Sequence, residues 1–454
     1  MHASIHRPMR IRYNRNPRQS GQNRSNLNGL EGFVSGCNCL WCKELQEVGG
    51  VGMDIRGGGR RRGWIGLIAL VGTGLLMVQV AQSAESDVPQ ADRLKQDVFT
   101  LASPELEGRG TTVGKQKARE HLLAAFRDLK LEPLFPEGSY LQEIPGPKQA
   151  GGTEIVMGTN VGAVLRGSDP RLRDEYVILS AHFDHLGIRG GKMYPGADDN
   201  AGSVAMMLEV ARLLAAQPVA PRRSVVFLSC DLEESLLWGS RWFVAHPPWP
   251  LERVKLFVTA ELIGRTLGDL PLPAVFVMGG EHAPGLRRLV DGVSSPGNLQ
   301  VSHLGVDLVG VRSDYGPFKG EKVPFLFFSG GEHRDYHQPT DTADRLDYQR
   351  LSHITQVIRD VVREVAMAEE TPVWSDQPEH TLGEVETIEK ITGTLLKLDD
   401  NLRERGRGRL TDQQRFTVSN IHTRTRAMLS EKRVEPADRA WLIRSAQWML
   451  LTVF

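Results

Sequence analysis

Apolar residues along this chain fall into two rhythms. Short, nearly unbroken apolar runs occur at Asn160 to Leu165, Tyr176 to Ser180, Val225 to Cys230, Leu256 to Ala260, Ala274 to Val277 and Val323 to Phe328. Runs of that length, rich in β-branched residues, predict strands buried on both faces. Between and after them the apolar spacing lengthens to a helical period, at Ala201 to Ala216, Gly239 to His246, Pro284 to Val293 and Tyr348 to Glu369, with a helical lead-in over Ala91 to Leu129. Strands alternating with helices predict an α/β protein, a three-layer α/β/α sandwich with a mainly parallel central sheet. After Thr371-Pro372 only the helical period remains, from about Leu382 to Phe454, and a T-x-x-Q capping box at Thr411 to Gln414 opens one helix. This C-terminal helical extension, residues 371–454, predicts a hairpin or small bundle. It either packs on the preceding domain or mediates self-association, and the pattern leaves both open.

Composition adds one asymmetry. The chain of 454 residues carries 55 Lys+Arg and 55 Asp+Glu. Residues 1–62 hold 11 basic and 4 acidic side chains, leaving 44 against 51 in the rest. The mildly acidic remainder excludes nucleic acid as an expected partner. Residues 1–62 lack periodicity and read as a disordered extension or an over-long start, with Met53 a sensible alternative beginning. Arg60-Arg61-Arg62 then precedes an apolar stretch and A-Q-S-A-E, so residues 63–84 read as a secretory signal, with an uncleaved membrane anchor as the competing reading. The protein is thus expected to be exported, periplasmic or extracellular. Three of four cysteines, Cys37, Cys39 and Cys42, fall in the basic head without the second pair or histidines that a zinc knuckle needs; Cys230 lies on a predicted strand and reads as a core residue.

The candidate chemistry sits just beyond the predicted strands, in residues 85–370. It comprises His182 in S-A-H-F-D-H-L-G, Asp199 in G-A-D-D-N, the pair Glu233-Glu234, Glu261 in A-E-L-I-G-R and His337 in Y-H-Q-P-T-D-T. Zinc takes imidazole nitrogen and carboxylate oxygen, and a catalytic ion keeps one position open. Two histidines and three carboxylates suffice for two Zn2+ ions if one carboxylate bridges. Such ions, roughly 3.5 to 4 Å apart, can share a water, lower its pKa towards about 7 and polarise the carbonyl it attacks. Each fragment also has a bland reading alone: Glu233-Glu234 as a solvated turn, Asp198-Asp199 as helix caps.

Together these segments resemble the co-catalytic di-zinc aminopeptidases, the aminopeptidase Y-like group of peptidase clan MH that also includes glutamate carboxypeptidases. Further support comes from Ser313 to Phe318, similar to the family's S-D-H-x-P-F, from Thr340 to Tyr348, similar to its x-D-T-x-D-K-I-D-Y, and from the opening L-A-S-P-E-L-E-G-R-G. The similarity covers about residues 95 to 369. It implies that Asp199 bridges, that Glu234 and His337 complete one zinc site and His182 and Glu261 the other, and that Glu233 is the general base. It further implies that Asp184 orients the His182 ring and that Tyr336 either donates to the developing oxyanion or packs beside the ligand loop. His185 receives no role from the resemblance and reads as packing. Two departures stand out: Glu261 replaces a usual Asp, and Leu236 replaces a usual glycine after the glutamate pair.

The implied function is a zinc-dependent exopeptidase, an aminopeptidase releasing N-terminal residues from a peptide substrate. A carboxypeptidase-type relative is the nearest alternative; it would need a basic pocket, for which Arg189, Arg265, Arg312 and Arg334 are loop candidates. A glutaminyl cyclase-like enzyme with one zinc and a non-catalytic binding module on the same fold complete the alternatives.

Overall fold

The computed structural model describes residues 88–147 and 155–454. The basic segment 1–62, the apolar segment 63–84 and the three N-terminal cysteines lie outside the described residues.

Eleven strands occur among the described residues. In chain order they are β1 Glu132–Pro133, β2 Leu141–Pro145, β3 Val156–Leu165, β4 Tyr176–Ser180, β5 Gly187–Arg189, β6 Lys192–Tyr194, β7 Ser224–Ser229, β8 Val254–Glu261, β9 Ala274–Met278, β10 Gln300–His303 and β11 Phe325–Ser329. The longer helices are α1 Ala91–Leu101, α2 Thr112–Asp128, α3 Gly202–Ala215, α4 Trp238–Ala245, α5 Leu286–Gly292, α6 Tyr348–Met367, α7 Leu382–Arg403, α8 Asp412–Glu431 and α9 Pro436–Thr452. One sheet runs in the order β1-β3-β7-β4-β8-β11-β9-β10, with β2 paired to the far end of β3, while β5 and β6 form a separate hairpin.

The sheet is mixed. Strands β7, β4, β8 and β11 at its centre are mutually parallel, as are β9 and β10 at one edge, but β3 joins β7 and β9 joins β11 antiparallel. Those central strands read as unbroken apolar runs because both faces are covered. Val177 and Leu179 face a core built with α1, α2, α3 and α6, whereas Tyr176 and Ile178 face one built with α4, α7, α8 and α9. The C-terminal helices therefore share the second core with the sheet and belong to the same compact unit. No helix among the described residues is long and apolar enough to cross a membrane.

Helix starts follow their sequence signals. Thr111 and Asp347 accept from the amides of Gly114 and Arg350, and capping boxes form at Thr381/Glu384 and Thr411/Gln414. Glu384 has a second job: its buried carboxylate receives Arg439 of α9 and Arg287 of the sheet domain, and Arg439 also reaches Asp307. Burial alone would raise the Glu384 pKa, but His380 and Arg439 outweigh it and hold it at about 2. A carboxyl depressed below its unfolded value stabilises the fold above pH ~4.3 and loses that contribution as pH falls towards about 2, an effect on the order of 2–3 kcal/mol. Urea denaturation between pH 5 and pH 2 is expected to show this loss in the wild type, and a flatter pH dependence in Glu384→Gln.

Candidate metal centre

The parallel strands end together, and ligand sites in open α/β sheets form outside such carboxyl ends. Pairing continues briefly past β4 and β7, through Ala181 N–H to Leu228 O (3.2 Å) and Phe183 N–H to Cys230 O (3.0 Å), which sets His182 beside the loop carrying Glu233 and Glu234. Glu261 is the last residue of β8, and His337 lies in the loop that follows β11.

Asp199 enters from the segment before α3 and is held from three sides. The Asp341 carboxylate accepts the amides of Asp198 and Asp199 at 3.1 Å each. The Asn200 side chain donates to Ala260 O at the end of β8 (3.0 Å). The third hold is Arg109, fully buried, whose guanidinium donates to the carbonyls of Leu101, Phe183, Pro195 and Gly196, each at 2.7 Å, and of Asp199 at 3.4 Å. One side chain thus ties the His182 loop to the Asp199 loop. Arg109→Met would strand several buried acceptors, each costing about 1–3 kcal/mol, so chemical denaturation is expected to show a loss of at least about 3 kcal/mol.

The five expected donors converge, and Asp199 stands between two sets. His182 Nε2 lies 3.5 Å from Asp199 Oδ1 and 3.4 Å from Glu261 Oε1, while His337 Nε2 lies 3.1 Å from Asp199 Oδ2 and 3.2 Å from Glu234 Oε2. Donors bound at about 2.1 Å to a tetrahedral ion are separated by about 3.4 Å, so these spacings match the edges of two zinc tetrahedra that share Asp199. His182 Nε2, Asp199 Oδ2 and Glu261 Oε1 are buried and make no hydrogen bond among the described residues, which fits atoms aimed at a cation. The extra methylene of Glu261 is accommodated at the strand end without loss of this geometry.

Electrostatics point the same way. Burial pushes the Glu261 and Asp184 carboxyls up to about 7, with Asp199 and Asp231 respectively adding repulsion. Burial opposes charge on His337, yet Asp199 and Glu234 raise its pKa to about 10. The cluster is short of positive charge, a deficit that divalent cations remove.

Two neighbours differ from expectation. Asp184 turns its carboxylate to the glutamate pair, accepting the amides of Glu233 (3.0 Å) and Glu234 (3.4 Å); His182 Nδ1 is 3.7 Å from that carboxylate and 3.2 Å from the Asp184 carbonyl. The ring orientation is thus set by the main chain, and Asp184 fixes where Glu233 and Glu234 point. His185, expected to pack, places Nδ1 2.7 Å from Glu234 Oε1 and 3.6 Å from Asp199 Oδ2. It joins Asp199, Glu234 and His337 in one potential ligand group, while His182, Glu233 and Glu261 form another. Gly196 makes room for it: at φ +58°, a Cβ there would lie 2.5 Å from the His185 ring. Only the short H-x-D-H spacing could have hinted at this role.

Glu233 Oε2 lies 3.9 Å from His182 Nε2, beside the His182 and Glu261 set yet outside its tighter spacings. The Tyr336 ring stacks on His337 with centroids 3.9 Å apart, and burial together with Asp199 and Glu261 lifts its phenol well above the usual range, so it stays a proton donor. Leu236 and Leu237 take left-handed φ values of 63° and 60°, the conformation that glycine adopts without cost, and the first of them is the position where the resemblance leads one to expect glycine.

Residues 160–362, from β3 into α6, match the sequence profile of peptidase family M28. That span includes His182, Asp199, Glu233, Glu234, Glu261 and His337. Over 219 residues the chain is 29% identical to mouse endoplasmic reticulum metallopeptidase 1, covering 46% of this chain and 23% of that protein. It is also 29% identical over 210 residues to the uncharacterized protein YfbL of Escherichia coli K12 (39% of this chain, 63% of that one), and 23% identical over 209 residues to aminopeptidase YwaD of Bacillus subtilis (44% and 43%). The match to the mouse protein thus spans less than a quarter of that relative's length. The span that matches peptidase family M28 coincides with the strands and loops that assemble the donor cluster.

Proposed function

We propose that this chain is a zinc-dependent aminopeptidase with two Zn2+ ions held by His182, Asp199, Glu234, Glu261 and His337. The observation that carries the reading is the division of Asp199, one oxygen facing His182 and Glu261 and the other facing His337 and Glu234. When bound, zinc lowers the pKa of a coordinated water to about 7 and polarises the scissile carbonyl.

The chain's own residues supply the rest. Glu233 accepts the proton of the attacking water and returns it to the leaving amine, its backbone fixed by Asp184. Tyr336, kept protonated by its acidic surroundings, donates to the developing oxyanion. The ammonium group of a peptide's first residue is attracted to a centre rich in carboxylates. A carboxypeptidase would instead need a free cation for the terminal carboxylate, and the arginines nearest that task are engaged: Arg265 with Asp269 and Asp335, Arg312 with Glu332, and Arg334 with Asp269. Among the four candidates Arg189 donates to the Leu186 carbonyl.

We further read the enzyme as exported, with residues 63–84 as its signal; N-terminal sequencing of the mature protein tests this. The aminopeptidase reading is tested with aminoacyl chromogenic amides, free and N-acetylated, assayed with and without chelator. Hydrolysis of the free series alone, abolished by chelator and restored by zinc, is expected; cleavage of the blocked series at an equal rate would overturn it.

A further inference from the structure

Beside the donor cluster lies a cavity of about 870 Å3, its open mouth included. Glu261 and Tyr336 line it, so it borders the metal centre directly. One wall comes from the sheet, with Phe276 of β9 and Phe327 of β11. The opposite wall comes from Ile391 of α7 and from Ala446 and Met449 of α9. Both helices lie beyond residues 160–362, so this wall is built by a part of the chain outside the family-matched span.

The lining decides what the cavity accepts. Apart from Glu261, its charged residues are Arg312 and Glu332, which pair with each other. A charged side chain entering would be desolvated without a free partner, an unfavourable exchange, whereas an apolar one removes surface from water on both sides. A substrate whose reacting end lies at Glu261 and Tyr336 has this space beside its first residue.

We propose that α7 and α9 complete the pocket for the side chain of the substrate's N-terminal residue, and that the pocket selects large apolar side chains such as leucine or phenylalanine. The proposal rests on the aminopeptidase reading and specifies its substrate class. It also gives the C-terminal helices a role in specificity. Each further methylene in an apolar pocket contributes about 10-fold or more to discrimination, so leucine amides are expected to exceed alanine amides in kcat/KM by at least about 100-fold.

The test compares wild type, Ala446→Phe and Phe454→Ala on alanyl, leucyl, phenylalanyl, lysyl and glutamyl chromogenic amides. Zinc content and circular dichroism are recorded for each protein. Calorimetric binding of free leucine and free alanine, which carry no scissile amide, to each protein gives a readout independent of turnover. Ala446→Phe is expected to lower the leucyl to alanyl ratio of kcat/KM at least about 10-fold and to weaken leucine binding in parallel. Phe454, which also lines the cavity, is partly exposed. Its replacement by alanine widens the space and serves if Ala446→Phe does not fold; the phenylalanyl to leucyl ratio is expected to rise. A wild type that cleaves all five amides equally, or ratios unmoved in the folded variants, overturns the pocket assignment and leaves the aminopeptidase reading standing. A wild type that cleaves none of them overturns both.

Discussion

Glu233→Gln is expected to lower kcat by about 10^2- to 10^4-fold while leaving two zinc ions per chain, the melting temperature and KM close to wild type. Glutamine keeps the shape and the hydrogen-bonding reach of the side chain but cannot take a proton at neutral pH. The separation rests on geometry. Glu233 Oε2 stands 3.9 Å from His182 Nε2, against 3.1 to 3.5 Å for the pairs assigned to the ions. Its main-chain amide is anchored by Asp184, so the substitution should not move the loop. Elemental analysis of the purified variant is the decisive measurement. One ion lost per chain with full activity in the remainder would move Glu233 into the ligand set with His182 and Glu261.

Asp199→Ala should be more damaging, because both donor sets lose the carboxylate they share. Zinc stoichiometry is expected to fall below two and kcat/KM by at least about 100- to 1,000-fold, the cost of losing a single preorganised oxyanion-stabilising group. The effect on stability should depend on whether zinc is bound. In the wild type, zinc at a thousandfold excess over its Kd stabilises the fold by about 4 kcal/mol per site, and the variant forfeits most of that gain. With chelator present the order should reverse or vanish, since the substitution removes one of five carboxylates crowded among Asp184, Asp199, Glu233, Glu234 and Glu261. Thermal denaturation with zinc and with chelator separates the two contributions. A variant less stable than wild type under chelation would show that Asp199 serves mainly to hold the loop.

The central strands were legible because burial on two faces writes an uninterrupted apolar run; Tyr176–Ser180 is bounded by the residues its pattern predicted. The edges were not. Leu141–Pro145 and Gln300–His303 carry mostly polar or half-buried side chains, and their pairing is set by neighbours distant in sequence. The hairpin Gly187–Tyr194 has arms of three residues around Gly190-Gly191, too short for a periodic signal. The donors were readable through their local motifs, whereas their supports were not: Arg109 acts through backbone carbonyls from three separate segments, Asp341 through two amides some 140 residues earlier, and His185 through a ring direction that spacing does not encode.

The clamp of Asp341 on the Asp198 and Asp199 amides bears on the order of biosynthesis. A nascent polypeptide that has emerged only as far as Glu261 already displays His182, Asp199 and three glutamates, yet lacks both His337 and the carboxylate that fixes the bridging loop. Firm capture of cations must therefore wait until Asp341 has been translated, near the end of the α/β body, and ribosome-stalled intermediates ending before that point should bind zinc loosely and remain catalytically silent.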